Sequence, residues 1–140
     1  MSISIRTQLD RIINIMLTDG VQPLDLAGNI FEDGYNSVKT SRTRDCIITD
    51  VFFDEFINNI KRQNVLLRYT HNLQRQLLRV EEVFADRVVV QWDREEIINN
   101  LINDVATKLK ATSGAVSESF IASLPPYLQD KLNVQLATAA

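Results

Sequence analysis

Two groups of carboxylates are the residues in this chain best suited by type and spacing to chemistry: Asp50, Asp54 and Glu55 in one stretch, Asp25, Glu32 and Asp33 in another. Neighbouring carboxylates can act as acid and base or hold Mg2+. Neither group has the alternating spacing of a calcium loop or a motif that positions a substrate beside it, so both read as solvated faces. His71 is the single histidine and stands between Thr70 and Asn72, which excludes a histidine triad with a second histidine or a multi-histidine metal site within one chain. No glycine-rich phosphate loop, GxSxG elbow or CxxC pair occurs. Cys46 is the one cysteine; it cannot form an intrachain disulfide and reads as a small apolar residue. The sequence therefore predicts a protein that is not an enzyme, with no catalytic residue, metal site or cofactor.

Charge is more informative than catalysis. Lys and Arg total 15 against 18 for Asp and Glu, a net charge of -3 over 140 residues, so any attraction to nucleic acid must be local. Between Phe56 and Val80 the chain holds five basic residues and no acidic one. On a continuous helix Lys61, Arg68, Arg75 and Arg79 fall in one narrow arc opposite Leu66, Leu73, Leu77 and Val80. That stripe is a candidate contact for phosphates or for an acidic protein partner, and Lys39, Arg42 and Arg44 form a second basic patch.

The elements that would carry these residues read as mostly helical. Ile5, Leu9, Ile12, Ile13, Met16 and Leu17 make an amphipathic helix that stops before Gly20. Residues 20–40 read as a structured loop with one short helical turn. Ile48, Phe52, Phe56 and Ile60 step by four, predicting a helix that ends near Gln63. Leu66, Thr70, Leu73, Leu77, Val80 and Phe84 space like a short coiled-coil seam with Leu73 at its centre. Arg87 to Trp92 is the one convincing strand, and Val88, Val90 and Trp92 are candidate contacts to another copy, since a lone strand needs a partner. Asp93 with Glu96 predicts a helix starting at Arg94. A short helix to about Leu124 and a last one opened by Pro125 complete a mainly α, single-domain helical bundle over residues 1–140. "EFINNI" at Glu55 to Ile60 and "EIINNL" at Glu96 to Leu101 echo each other, both on predicted helices.

Asp104-Val105-Ala106, followed after nine residues by Val116-Ser117, resembles the helix-turn-helix of the lactose-repressor type. The resemblance implies a tight helix crossing at Ala106 and Val116. Lys110 stands where that motif has glycine, Ser119 where it has an apolar anchor, and the second helix offers Ser113, Gly114, Ser117 and Glu118 with no Lys or Arg for a groove. Ile98-Asn99-Asn100-Leu101-Ile102 is similar to a pentapeptide in a bundle helix of tobamovirus coat proteins, which implies the class of helical proteins that polymerise without an active site.

The expected function is a non-enzymatic assembly or structural subunit, of the virus or phage particle kind (coat, connector or adaptor), forming a homo-oligomer or joining other protein subunits. The alternative is a nucleic-acid-binding or regulatory protein using the stripe at 61–79 or the degenerate helix-turn-helix at 104–120. No apolar run is long enough to cross a membrane. The N-terminus lacks the basic, apolar and small-residue order of a signal peptide, so the expected location is the cytoplasm or a particle assembled inside the cell.

Overall fold

The computed structural model describes residues 5–111 and 114–138. The chain divides into two compact units, one of residues 18–95 and one of residues 1–17 with 96–140, where the sequence reads as one domain.

The first unit is a five-stranded antiparallel meander, β1 (Tyr35–Arg42), β2 (Cys46–Ile57), β3 (Ile60–Asn72), β4 (Leu77–Phe84) and β5 (Arg87–Asp93), each strand beside its sequence neighbour. The fold is α+β, and this corrects the helical bundle. The step of four from Ile48 to Ile60 belongs to β2 and the hairpin tip, because Ile47, Thr49, Val51 and Phe53 alternate onto one face opposite His71, Tyr69, Leu67 and Val65. Val51, Val65 and Thr49 are fully buried there, the period-2 signature of a half-buried strand. The seam of spacing four and three is broken at Asn72–Gln76. The Asn72 Oδ1 accepts from the backbone N–H of Gln74 and Gln76 at 3.0 and 2.9 Å, and Arg75 takes φ 71°, which reverses the chain between β3 and β4.

The segment expected to be a loop supplies α2 (Pro23–Ala27) and a 3-10 turn (Gly28–Phe31) that pack on β1. Three polar contacts fasten the stretch before it to the sheet. His71 Nε2 donates to the Val21 carbonyl at 2.6 Å, the Leu77 N–H donates to Asp19 O at 2.8 Å, and Gln22 Nε2 donates to Arg75 O at 2.8 Å. Gly20 allows this approach. Its φ is 84°, and a Cβ there would lie 3.0 Å from the Leu77 Cβ, so both backbone and space require glycine.

In the other unit the helical reading holds. It contains α1 (Ile5–Leu17) and most of α3 (Arg94–Lys110), with α4 (Gly114–Ala122) and α5 (Pro126–Thr138). The helix α3 begins at Arg94, where the Asp93 and Glu96 spacing places it. Ile98, Ile102, Val105, Ala106 and Leu109 recur at helical spacing and pack with Leu9, Ile12, Leu128 and Leu132 into one core, against which Phe120 and Ile121 of α4 rest. The resemblance to a helix-turn-helix falls partly on Ser113 and on the Val116 and Ser117 side chains, which lie outside the described residues. The two echoing hexapeptides take different structures: 55–60 is a hairpin tip and 96–101 is helix, which removes the case for a duplicated unit.

Burial now separates two substitutions that the sequence treats alike. Ile102→Ala removes a side chain 1 % exposed and is expected to lower stability by about 2 to 5 kcal/mol. Leu73→Ala, in a turn and 40 % exposed, should cost about 0.5 kcal/mol or less. Urea unfolding midpoints of the two variants check the contrast.

Candidate interaction edge and charged face

A meander leaves two strand edges unpaired, here β1 and β5, and the sequence treats them oppositely. On β1, Lys39 and Arg42 are exposed and an extra residue, Asn36, breaks the register against β2. Charge and bulging are how natural sheets protect an edge. On β5, Val88, Val89 and Val90 are 59 %, 48 % and 48 % exposed, three consecutive β-branched residues that cover both faces of the strand. A bulge does occur in β5, but beyond them: Val90 pairs with Glu81 and Trp92 with Val80, leaving Gln91 extra. This corrects the alternation expected for Val88, Val90 and Trp92. Val88 and Val90 share a face, and the bulge turns Trp92 onto the other, where Val80 and Val89 lie. The strand also has its own partner in β4, so the pairing expected from another copy is met within the chain, and only the outer edge of β5 is left open.

The basic stripe does not form a helical arc. Lys61 and Arg68 lie on β3, Arg79 on β4 and Arg75 in the turn between them. Three of the four meet carboxylates. Arg68 forms a two-pronged bond to Asp50, 2.8 and 3.0 Å; Arg79 Nε donates to Asp93 at 3.0 Å; Lys61 Nζ lies 3.6 Å from Asp54. Across the sheet the row Lys39, Asp50, Arg68, Glu81 alternates in sign, so the face is internally compensated. The sign order explains the misleading sequence: the acidic members of each pair sit on β2, or at Glu81 and beyond, outside the interval from Phe56 to Val80. Lys39 and Arg42 are strand residues and Arg44 lies in the β1–β2 turn, so that patch does not begin a helix. On the opposite face Arg62 bridges Glu55 at 2.6 Å and Glu82 at 3.0 Å and lies 4.1 Å over the Phe84 ring.

The carboxylates have structural employment. Asp54 Oδ1 accepts from the Asn64 backbone N–H and from Asn36 Nδ2, each at 2.9 Å. It thereby joins the bulged residues of β1 and β3 where the β2–β3 hairpin leaves the sheet. Beyond that point only the two strands of the hairpin pair, and Phe56, Ile57 and Ile60 at its tip are exposed. Asp25 accepts from the Gln22 N–H at the start of α2, 3.2 Å, and Glu32 and Asp33 are exposed before β1. Among the described residues no three His, Cys, Asp or Glu gather as metal ligands. Cys46 is half-buried at the start of β2.

A residue the sequence reading missed is Arg94. Its guanidinium is buried, with Nε donating to Leu77 O at 2.6 Å and Nη2 to Thr18 O at 2.7 Å, and it lies 5.6 Å from the Trp92 ring. Burial lowers its pKa from the ordinary value. Thr70, Leu78, Arg79, Asp93, Arg94 and Glu95 line a cavity of about 350 Å3 whose arginines bond carbonyls and a carboxylate of the chain itself. The one signal for Arg94 in the sequence was its place after the Asp93 cap, which announces a helix but not a buried cation. No protein family, curated protein or solved structure matches this chain. No helix among the described residues is long and apolar enough to cross a membrane.

Two expectations follow from these bonds. The hydrogen bonds from Asn64 and Asn36 hold the Asp54 carboxyl below its ordinary value of 3.8. Because the folded value is the depressed one, its contribution is present above the unfolded value and is lost as pH falls through the folded one. A carbon-detected NMR titration should place the Asp54 midpoint below 3.8, and Asp54→Asn should flatten the acid limb of stability below about pH 4. Arg94→Met leaves two carbonyls without these donors and should cost about 1 to 3 kcal/mol for each that stays dry, read from thermal unfolding of the sheet unit.

Proposed function

We propose that the protein is a non-enzymatic assembly subunit that joins other protein chains through the outer edge of β5. The observation that carries this reading is the unequal treatment of the two edges of one sheet: β1 has Lys39, Arg42 and a bulge, whereas β5 offers Val88, Val89 and Val90 uncharged and half-exposed. An unprotected apolar edge is a template for another strand, and a sequence that protects one edge has the means to protect the other. The expectation of an assembling subunit is thus kept in α+β form, with the joint moved from the triplet Val88, Val90 and Trp92 to the valine run. The nucleic-acid alternative has less support, because a phosphate approaching Lys61, Arg68 or Arg79 must compete with Asp54, Asp50 or Asp93 at 3.6 Å or less.

The test is the mass in solution by light scattering from about 1 µM to about 1 mM. The wild-type chain is expected to rise above 16.0 kDa with concentration, and Val89→Lys to hold it at that value with unchanged far-UV circular dichroism. A wild-type mass of one chain throughout overturns the proposal.

A further inference from the structure

We infer that the chain seated on β5 is the β5 of a second copy, paired antiparallel about a two-fold axis through Val89. The inference rests on the edge-assembly reading and adds the partner and the register. Antiparallel extension of a sheet keeps each face of one copy level with the same face of the other, so a residue of β5 must meet one from its own face. Val88 and Val90 share one face; Arg87, Val89 and Trp92 share the other. Registers centred between two residues put opposite faces together and are excluded.

Among the remaining registers, centring on Val88 sets Arg87 against a valine and Asp86 against Val90 of the partner. Centring on Val90 brings the Gln91 bulge of each copy into the ladder, where the alternation of faces is lost. Centring on Val89 sets the partner's Val90 opposite Val88, the partner's Val89 opposite Val89 and the partner's Val88 opposite Val90. All three cross-strand pairs are then β-branched and apolar, and each covers side chains that are 48 % to 59 % exposed in one chain.

Charge selects the same orientation. The apolar run follows Arg87 on one side and is followed by Gln91 and Trp92 on the other. An antiparallel copy brings Arg87 toward the Trp92 end of its partner, on the face the two residues share, cation toward an aromatic ring. A parallel copy would set Arg87 against Arg87. The strand is therefore complementary to itself in one direction only. The ladder is short, ended by the bulge on one side and by the Ala85–Asp86 turn on the other, so the association is expected to depend on concentration.

Cysteine pairing reads the register directly. In a Cys46→Ser background, Val89→Cys should form a disulfide-linked dimer on mild oxidation by itself. Val88→Cys and Val90→Cys should each link poorly alone and at least about tenfold faster when mixed, because each faces the other across the axis. Arg87→Glu, which takes the cation away from the partner's Trp92 ring at both ends, should weaken the dimer about tenfold. A dimer by light scattering in which Val88→Cys links to itself as fast as to Val90→Cys overturns this register while leaving the edge as the joint. A dimer that none of the three cysteines links, and that Val89→Lys does not dissociate, overturns both the register and the edge. A protein that stays a single chain at about 1 mM overturns the partner and the assembly reading together.

Discussion

The sheet exists because the chain can reverse tightly in left-handed backbone conformations without glycine. Asn58 and Asn59 hold φ 52° and 64°, and Ala85 and Asp86 hold 50° and 64°, giving two-residue turns whose twist matches that of the strands they join. Asparagine and aspartate accept this region at small cost; alanine does so against a penalty of about 1 kcal/mol, met here by the β4–β5 ladder that closes directly onto Phe84 and Arg87. Without these reversals β2 and β3 lose their register. The buried row of Thr49, Val51 and Val65 then has no partner, and the segment anchored by His71, Leu77 and Arg94 has no surface to rest on.

The same constraint accounts for what the sequence concealed. Helix periodicity served well in α1, α3 and α5, which are long, and Ile98 to Leu109 shows an unbroken apolar stripe. It failed from Ser41 to Phe84 because long strands rich in Ile, Leu and Phe on both faces also contain apolar residues every three or four positions. The two spacings are indistinguishable unless the turns are seen. Asn58-Asn59 between Ile57 and Ile60 was the visible signal, and its twin at Asn99-Asn100 lies within a helix. A hexapeptide of one composition is a turn when its flanks pair as strands and a helix when they present a stripe to a core.

Site residues were legible in identity more than in placement. Val88 and Val90 are legible as strand residues and candidate contacts to another chain, but the Gln91 bulge that turns Trp92 away from them leaves no mark in a run of seven residues. The cations were found and their counter-charges were not, since Asp50 and Arg68 are 18 residues apart in sequence and adjacent only through the register of β2 on β3. Arg94 was hidden for a related reason: its ligands are main-chain carbonyls of Leu77 and Thr18, which carry no residue type for a reader to notice. Charge runs in a sheet protein describe one strand at a time, and the balance is struck perpendicular to the chain.

The protected β1 edge has a consequence for how large an assembly can become. A sheet open on both sides adds copies without limit and ends as a filament. Here one margin carries Lys39 and Arg42 and is broken by Asn36, so the proposed contact through β5 in both partners would leave only that margin at each end of the sheet. Ten strands would then lie in one continuous sheet bounded at each end by a cationic, bulged strand. In the proposed dimer the lysine and arginine of β1 would act at a distance from the joint as growth terminators, turning a polymerising interaction into one that closes after two copies.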